Sequence, residues 1–498
     1  MKKENILLFV LLFLLALFVT GLTTNYDYDL FARLEVGEIF CKLHTVLKHD
    51  PFSYTPTLYW FDHEWGSGVI FYAFLKLLGP AGLIILNGLL FFGTTFFILK
   101  HNKNIEYPLL TGTLFLFLFN YEAGQLIKCQ AFTFILTSLT IYILEKFRSQ
   151  NSKLIWLMPL IIAVWCNLHG GVAAGLGIIS IYTLLFIIQR NSNTMKLLLV
   201  TVLSYLALLV NPYGIRYLAY LLYTITIPRT NIEDWISVFH PRFFTRYLPI
   251  VIIMISMLGC KIYRNIKTKK FDIYEYSLIF ITMFLGFLHL KNIPLATIIL
   301  FFFVSEDLNY YFTKIKYFKA INKSLLLVIP VLAVTIPLTI NTPRATHFCF
   351  PFTEVEFLKI NNIKGNIIAP FGDAGYVSYK LYPDNKIFID GRYDGVYPMK
   401  VLNDYFNFVD FSDNWTNALD NYQTDIIMIN KTEKLYNTLT KDANSKWIEV
   451  FSSIQRGVFV KKENVKPFYK EPIYDINYYR KNLFKTDFIE HIKKEDYD

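Results

Sequence analysis

The hydrophobic residues of this chain fall into long runs separated by short polar loops. About eleven runs approach the ~20 residues that a helix needs to cross a bilayer. They begin near Ile6, Ala81, Tyr107, Cys129, Leu154, Val172, Leu197, Leu248, Tyr274, Ile293 and Leu325. Two shorter runs, 69–78 and 217–227, are predicted to lie at the membrane interface or to enter the helix bundle partway. The pattern therefore predicts a polytopic α-helical membrane protein with about eleven spans.

The basic residues predict the orientation of these spans. The first run follows Lys2 and Lys3 and has no small-residue cleavage site, so we expect an uncleaved first helix with a cytoplasmic N-terminus. Five later loops rich in Lys and Arg then fall on the cytoplasmic side, at 100–103, 146–153, 190–196, 261–270 and 314–323. The loop at 23–66 falls outside, as a large first extracytoplasmic loop.

The composition of the chain changes after Ile340. The segments NIIAPF, KIFIDGR, DIIMIN, WIEVFSS and GVFVKK have the length and the β-branched content of strands. Between these segments lie two sequences with helical patterns, PMKVLNDYFNFV and TEKLYNTLTK. We therefore predict a transmembrane domain at 1–341 and an extracytoplasmic α/β domain at 342–498.

Composition and charge support a membrane protein. Hydrophobic residues make up 54% of the 498 residues and charged residues 18%, outside the usual soluble range. The net charge is +10, and the basic residues lie in short clusters between apolar runs. This distribution indicates membrane topology and not nucleic-acid binding. The five cysteines have no zinc or disulfide spacing.

The first loop contains most of the candidate chemistry. Asp27 and Asp29 directly follow the first helix, where one can act as a general base or both can hold a divalent cation such as Mg²⁺ or Mn²⁺. The alternative is that they are solvated acids at the start of a helix near Leu30. Further along, Asp62, His63 and Glu64 precede an interfacial tryptophan and can bind substrate, or they form an ordinary interfacial turn. Asp50 before Pro51 is a turn initiator and a weaker candidate.

Other candidates lie at predicted outer ends of spans and in the tail. Asn167 and His169 of WCNLHGG are candidates for substrate binding or for helix packing. Lys128 and Lys291 are cations on the predicted outer side, where the positive-inside rule predicts few. They either bind an anion such as a lipid phosphate or extend to the lipid headgroups. In the tail, Asp390 and Arg392 lie at the end of a predicted strand. They form either a ligand site or a structural pair.

With these motifs in place, the chain resembles bacterial membrane glycosyltransferases of the GT-C superfamily, close to the family 39-like proteins. The resemblance covers most of the chain. It rests on YDYDLFARLEVGE, the stretch from DPFSYT to DHEW, WCNLHGG, NPYG, HLKNIP, GDAGYVSYKLYP and KIFIDGRYD. It implies a large helix bundle, a first extracytoplasmic loop that bears the catalytic acid, and a polyprenyl-phosphate sugar as donor. Asp29 or Asp27 matches the acid, and Asp62 with Glu64 matches a second acidic element.

The resemblance implies an inverting transfer in the bacterial inner membrane. Asp29 would deprotonate an acceptor hydroxyl of an extracytoplasmic glycan, lipid or protein, while Lys291 or Lys128 holds the donor phosphate. A divalent cation on the loop acids is a possible cofactor, and membrane lipids are the other expected partners. One alternative is a non-catalytic scaffold whose outer domain binds glycan or peptide. A transporter ranks third, because the predicted spans have few charges at their centres.

Overall fold

The computed structural model describes residues 3–23, 25–123, 126–227, 229, 232–340, 349–441 and 445–486. Up to residue 340 these residues are largely helical. The helices are α1 (Lys3–Thr23), α2 (Tyr28–Leu43), α3 (Trp65–Leu78), α4 (Pro80–His101), α5 (Pro108–Ala123), α6 (Gln130–Gln150), α7 (Met158–Trp165), α8 (Val172–Ile188), α9 (Thr194–Ala207), α10 (Ile215–Thr226), α11 (Pro241–Thr268), α12 (Ile273–Leu288), α13 (Ile293–Lys314), α14 (Lys316–Ala333) and α15 (Ile336–Ile340). Two short extended segments, β1 (Asn25–Tyr26) and β2 (Leu126–Ile127), interrupt them.

The remainder of the described chain alternates helices and strands. The helices are α16 (Phe352–Ile360), α17 (Ala374–Leu381), α18 (Met399–Val409), α19 (Asn417–Asp420), α20 (Lys434–Lys441) and α21 (Ile476–Asn482). The strands are β3 (Gly365–Ile368), β4 (Asn385–Ile387), β5 (Ile426–Asn430), β6 (Trp447–Ser452) and β7 (Arg456–Lys461). Each of the five segments predicted as strands overlaps one of them.

These five strands form one mixed sheet in the order β4-β3-β5-β7-β6. β3 pairs in parallel with β4 and β5, and β7 pairs antiparallel with β5 and β6. β5 is buried over Ile426–Ile429, as its continuous apolar sequence predicts for a central strand.

The chain divides into two compact units that are both discontinuous in sequence. The first unit, which we call the helical unit, consists of Met1–Thr24 and Leu77–Thr342. The second unit, which we call the sheet unit, consists of Asn25–Lys76 and Pro343–Asp498. The sequence prediction grouped the loop at 23–66 with the transmembrane domain. In the structure this segment folds with the tail, because α2 packs on tail residues that are far away in sequence.

Four helices of the described chain are long and apolar enough to cross a membrane, judged by length and composition alone. They are Ile6–Thr23, Pro80–His101, Pro241–Thr268 and Leu290–Lys314. Six further apolar helices have only 10–17 residues, less than the ~20 that a bilayer requires. The predicted total of about eleven spans therefore stays a prediction.

The helical unit is built around α13. Of an 18-residue apolar stretch within Leu290–Lys314, 83% is buried, against 28% of the corresponding stretch within Pro241–Thr268. Phe301 and Phe302 of α13 are fully buried, and Phe115 of α5 contacts the Phe301 ring at 5.2 Å. α13 is thus the central helix and α11 a peripheral one.

Ion pairs connect several helix ends in this unit. Lys261 of α11 contacts Glu275 of α12 at 2.5 Å and Asp307 of α13 at 3.3 Å. Arg148 near the end of α6 pairs with Asp272 at 2.6 Å, directly before α12. The buried side chains of Lys261 and Asp307 thus have opposite charges as partners, as a low-dielectric environment requires.

The core of the sheet unit forms where α2 meets the tail. Phe31 of α2 is fully buried and contacts the rings of Phe350, Tyr376, Tyr379 and Phe484 at 5.1–5.8 Å. Aromatic packing of this kind adds to the free energy gained from burial. It fixes the helix that carries the first-loop acids against α17.

Candidate functional site

Asp27 and Asp29 have different environments at the start of α2. Asp27 is the N-cap residue, with extended backbone, and it is 4% exposed. Asp29 lies in the first turn of the helix, where a carboxylate is favoured by the helix dipole, and it is exposed. Of these two acids, Asp29 is the one accessible to a substrate.

The Asp29 carboxyl group lies directly against Gly391 of the tail. A Cβ atom placed on Gly391 would collide with Asp29 Oδ1, and its three nearest neighbours would be Oδ1, Cγ and Oδ2 of Asp29. The structure thus brings together a first-loop candidate and the turn that carries the tail candidates Asp390 and Arg392.

Arg392 is the centre of a buried ion-pair cluster. Its Nε donates to Asp390 at 2.8 Å, and its Nη1 donates to Asp50 at 2.6 Å. The three side chains are 3% or less exposed. Although burial disfavours the charged guanidinium, Asp390 and Asp50 raise the pKa of Arg392 well above its usual value. This arrangement favours the structural interpretation of the Asp390–Arg392 pair, and it assigns Asp50 a partner that its sequence context did not reveal.

A second cluster surrounds Arg33 of α2. Arg33 Nη1 donates to Asp62 at 2.5 Å and lies 3.7 Å from Glu64. Asp62 also accepts a hydrogen bond from the Glu64 backbone at 3.0 Å, which closes the turn. The Asp62 side chain is 1% exposed, whereas Glu64 and His63 are 23% and 28% exposed. Of this motif, His63 and Glu64 are the members that a ligand can reach.

Trp60 joins these two clusters. Its ring lies 4.9 Å from the Arg392 guanidinium and 5.8 Å from that of Arg33. Cation–π contacts of this length are attractive, more so when water is excluded. Asp50, Asp62 and the IDGR turn thus belong to one continuous network of contacts in the sheet unit.

Glu35 and Glu38 are buried acids that the sequence analysis did not select. Glu35 is fully buried and accepts a hydrogen bond from Ser378 at 2.8 Å, and its Oε2 has no hydrogen-bond partner. Burial raises the pKa of Glu35 well above its usual value and that of Glu38 to about 7. Their three-residue spacing on a predicted helix was the available signal, but it is equally typical of a solvated face.

Lys128 and Lys291 lie beside the same short segment of the helical unit. Lys128 Nζ is 3.3 Å from Asp234 Oδ2, and Lys291 Nζ lies 3.0 Å from the centre of the Trp235 ring. Arg229 contacts the same ring at 4.5 Å. We call Lys128, Arg229 and Lys291 the cation cluster. Arg229 was not a candidate from sequence, because its position depends on the turn at 233–235.

Asn167 and His169 make local contacts within the helical unit. Asn167 Nδ2 donates to the carbonyl oxygens of Ala163 at 2.8 Å and Val210 at 2.7 Å. His169 Nδ1 accepts from the Gly171 N–H at 2.9 Å, so this nitrogen carries no proton in that bond. Both residues thus hold the connection between α7 and α8, which favours the packing interpretation of this motif.

The sequence predicts a divalent cation on Asp27 and Asp29 as one alternative for these acids. Within the described part of the chain, no group of three or more His, Cys, Asp or Glu side chains is arranged to hold a metal ion. Asp27 is buried while Asp29 is exposed. These residues alone do not supply a ligand set, and the divalent cation stays a prediction.

Two solved glycosyltransferases share this fold. The oligosaccharyltransferase of Archaeoglobus fulgidus, in its apo form, aligns over 86% of this chain and 70% of its own, with a TM-score of 0.56 and 8% identity. ArnT of Cupriavidus metallidurans, bound to undecaprenyl phosphate, aligns over 92% of this chain and 98% of its own, with a TM-score of 0.52 and 10% identity. No protein-family model and no curated protein matches the sequence. Both solved proteins are GT-C glycosyltransferases, so the resemblance predicted from sequence is confirmed at the level of the fold.

Arg392→Met is expected to destabilise the sheet unit strongly. The substitution leaves Asp50 and Asp390 buried without their cation, which costs ~3–5 kcal/mol. Thermal unfolding of the purified protein measures the loss. Lys364→Met is the matched control, because Lys364 and Asp384 form an ion pair in which both side chains are more than half exposed. Such a pair contributes ~0–1 kcal/mol. Similar small losses in both variants would contradict the structural role of Arg392.

Glu38→Gln is expected to weaken the dependence of stability on pH. A buried carboxyl with a pKa of about 7 favours the folded state while protonated, and this contribution is lost as the pH rises from 4.5 through 7. At pH 8 the free energy of unfolding of the variant should therefore exceed that of wild type by on the order of 1–3 kcal/mol, with a higher melting temperature. At pH 5 the two proteins should unfold at similar temperatures. Glu463, which is exposed, gives the control variant Glu463→Gln. Equal shifts at both pH values would refute the assignment.

Proposed function

We propose that this protein is an inverting membrane glycosyltransferase that uses a polyprenyl-phosphate sugar. It would act in the bacterial inner membrane, with the N-terminus in the cytoplasm and the tail outside. The observation that carries the proposal is the exposed carboxyl group of Asp29 on the helix that follows α1, in a chain with a GT-C fold. The solved ArnT structure, bound to undecaprenyl phosphate, supports the same class of lipid for this chain.

Asp29 is the proposed general base. The proton of an acceptor hydroxyl passes to the Asp29 carboxylate while the hydroxyl oxygen attacks the anomeric carbon. A bond forms between that oxygen and the anomeric carbon, and the bond from the anomeric carbon to the phosphate oxygen breaks. The attack comes from the face opposite the leaving group, so the configuration inverts. Asp27 and Asp62 are less suited to this role, because both side chains are buried.

The cation cluster is the proposed site for the phosphate. Polyprenyl phosphate leaves with the electron pair of the broken bond, and nearby cations stabilise the charge that develops on it. Lys128 and Lys291 are the predicted residues, and Arg229 adds a guanidinium beside the same Trp235 ring. His63 and Glu64 are proposed to bind the sugar or the acceptor, since they are the accessible members of their motif.

Asp29→Asn is expected to lower transfer by about 10²–10⁴-fold, because the amide cannot accept the proton. The assay uses labelled undecaprenyl-phosphate sugars in proteoliposomes, with a cell-envelope extract as acceptor. Asp420→Asn, an exposed acid of the same unit, is the control and should transfer at the wild-type rate. Asp27→Asn is a second arm that should retain more transfer than Asp29→Asn.

Full transfer by Asp29→Asn would overturn the assignment of the base. A wild-type protein that transfers no sugar from the whole donor panel would instead favour the non-catalytic scaffold. Movement of labelled solute across the proteoliposome membrane without transfer would favour the transporter.

Lys291→Gln is expected to weaken donor binding. Loss of one charge-assisted contact costs ~1.5–3 kcal/mol, which corresponds to a rise of about 10–150-fold in the KM for the donor. Inhibition by added undecaprenyl phosphate should weaken by a similar factor. Lys196→Gln provides the control, because Lys196 contacts Asn151 on the predicted cytoplasmic side. An unchanged KM and unchanged inhibition in Lys291→Gln would exclude Lys291 from the phosphate site.

A further inference from the structure

We infer that the IDGR turn of the tail positions the Asp29 carboxylate, with Gly391 as the contact and Arg392 as the residue that fixes the turn. The inference rests on the proposed function, since it assigns a positioning role relative to the proposed base. It also gives the tail a function. From sequence, Asp390 and Arg392 of the tail were either a ligand site or a structural pair.

Gly391 makes space for the carboxyl group of Asp29. The three heavy atoms nearest to a Cβ at this position all belong to that carboxyl group. The described glycines with a left-handed backbone are Gly79, Gly214 and Gly365, and Gly391 has an ordinary φ. The backbone therefore does not require glycine at 391, and the steric reason for it is the Asp29 side chain.

The peptide groups on both sides of Gly391 are held in place. Asp390 Oδ1 accepts from the Arg392 backbone N–H at 3.1 Å and from Arg392 Nε at 2.8 Å. The Tyr393 N–H donates to the Asp390 carbonyl at 3.2 Å. Arg392 is tied in turn to Asp50. A turn with this many charge-assisted bonds is a rigid surface for the carboxyl group that rests on it.

The other side of the contact is equally constrained. Asp29 projects from the first turn of α2, two residues before the fully buried Phe31 and four before Arg33, which pairs with Asp62. The backbone of Asp29 is thus fixed by packing, and its carboxyl group is limited by Gly391 while remaining exposed. Catalysis by a general base depends on such positioning, because small displacements of a reacting group cause large losses of rate.

Gly391→Ala tests this inference. The methyl group displaces the Asp29 carboxyl, which is exposed and can rotate away, so we expect a large kinetic effect with little loss of stability. The kcat for sugar transfer should fall by at least about 10-fold, while the KM for undecaprenyl-phosphate sugar stays within about 2-fold. The acid limb of the pH profile of kcat should also shift, because the displaced carboxyl has new surroundings.

Gly372→Ala is the matched control. Its Cβ would meet the ring of Tyr28, the residue before Asp29, at 3.3–3.4 Å, a tight contact that a shift of a few tenths of an ångström in this exposed ring relieves. This variant should retain the wild-type kcat and pH profile. A wild-type kcat and pH profile for Gly391→Ala would overturn the positioning role.

A thermodynamic cycle keeps the inference testable if Gly391→Ala destabilises the protein. The cycle measures how much Gly391→Ala lowers the melting temperature in two backgrounds. One background is the wild-type protein, and the other is the Asp29→Ala variant. If Asp29 is the group displaced, the alanine at 391 has no cost once Asp29 is removed. An equal loss in both backgrounds would overturn the inference.

The outcomes separate this inference from the proposed function. Full transfer by Asp29→Asn means that the proposed base is wrong, whatever Gly391→Ala does. Loss of transfer in Asp29→Asn, together with normal transfer in Gly391→Ala, means that the base is right and that the positioning role is wrong.

Discussion

The buried guanidinium of Arg392 is the interaction on which the sheet unit depends. A desolvated cation is tolerated only with opposite charges beside it, and Asp390 and Asp50 supply them from two distant parts of the sequence. The pair with Asp50 connects the first-loop segment to the end of β4. Through the adjoining Gly391, the same interaction determines where the Asp29 carboxyl group can lie. A single electrostatic requirement therefore links the stability of the sheet unit to the geometry of the proposed base.

The structure separates polar residues that looked alike in the sequence. Asp62, Asp390 and Arg392 have their charges neutralised by buried partners, which leaves little capacity to bind a substrate. Asp29, His63 and Glu64 retain accessible surface. The proposed transfer breaks a bond between a sugar and a phosphate, and it calls for a base and for cations. Asp29 is the proposed base, and the cation cluster is the proposed phosphate site; both keep part of their surface accessible.

Local signals were predictable from the sequence, and long-range pairings were not. The five strands of the sheet were found from β-branched runs, and the exposure of Asp29 agrees with its place after the first helix. The approach of Lys128 and Lys291 to Asp234 and Trp235 was not visible, nor was the pair between Asp50 and Arg392, 342 residues apart. Glu35 and Glu38 were missed because a helical spacing does not reveal which face is buried.

The discontinuity of the sheet unit has a consequence for biogenesis. Asp50 and Glu35 are synthesised early, but their partners Arg392 and Ser378 leave the ribosome only after residues 77–342 have been made. At about 5–20 residues per second, this interval is on the order of tens of seconds. The first-loop segment therefore exists for that time without the tail that buries it. Assembly of the sheet unit is a late event, and a truncated chain that ends before the tail leaves Asp50 without the cation that neutralises it.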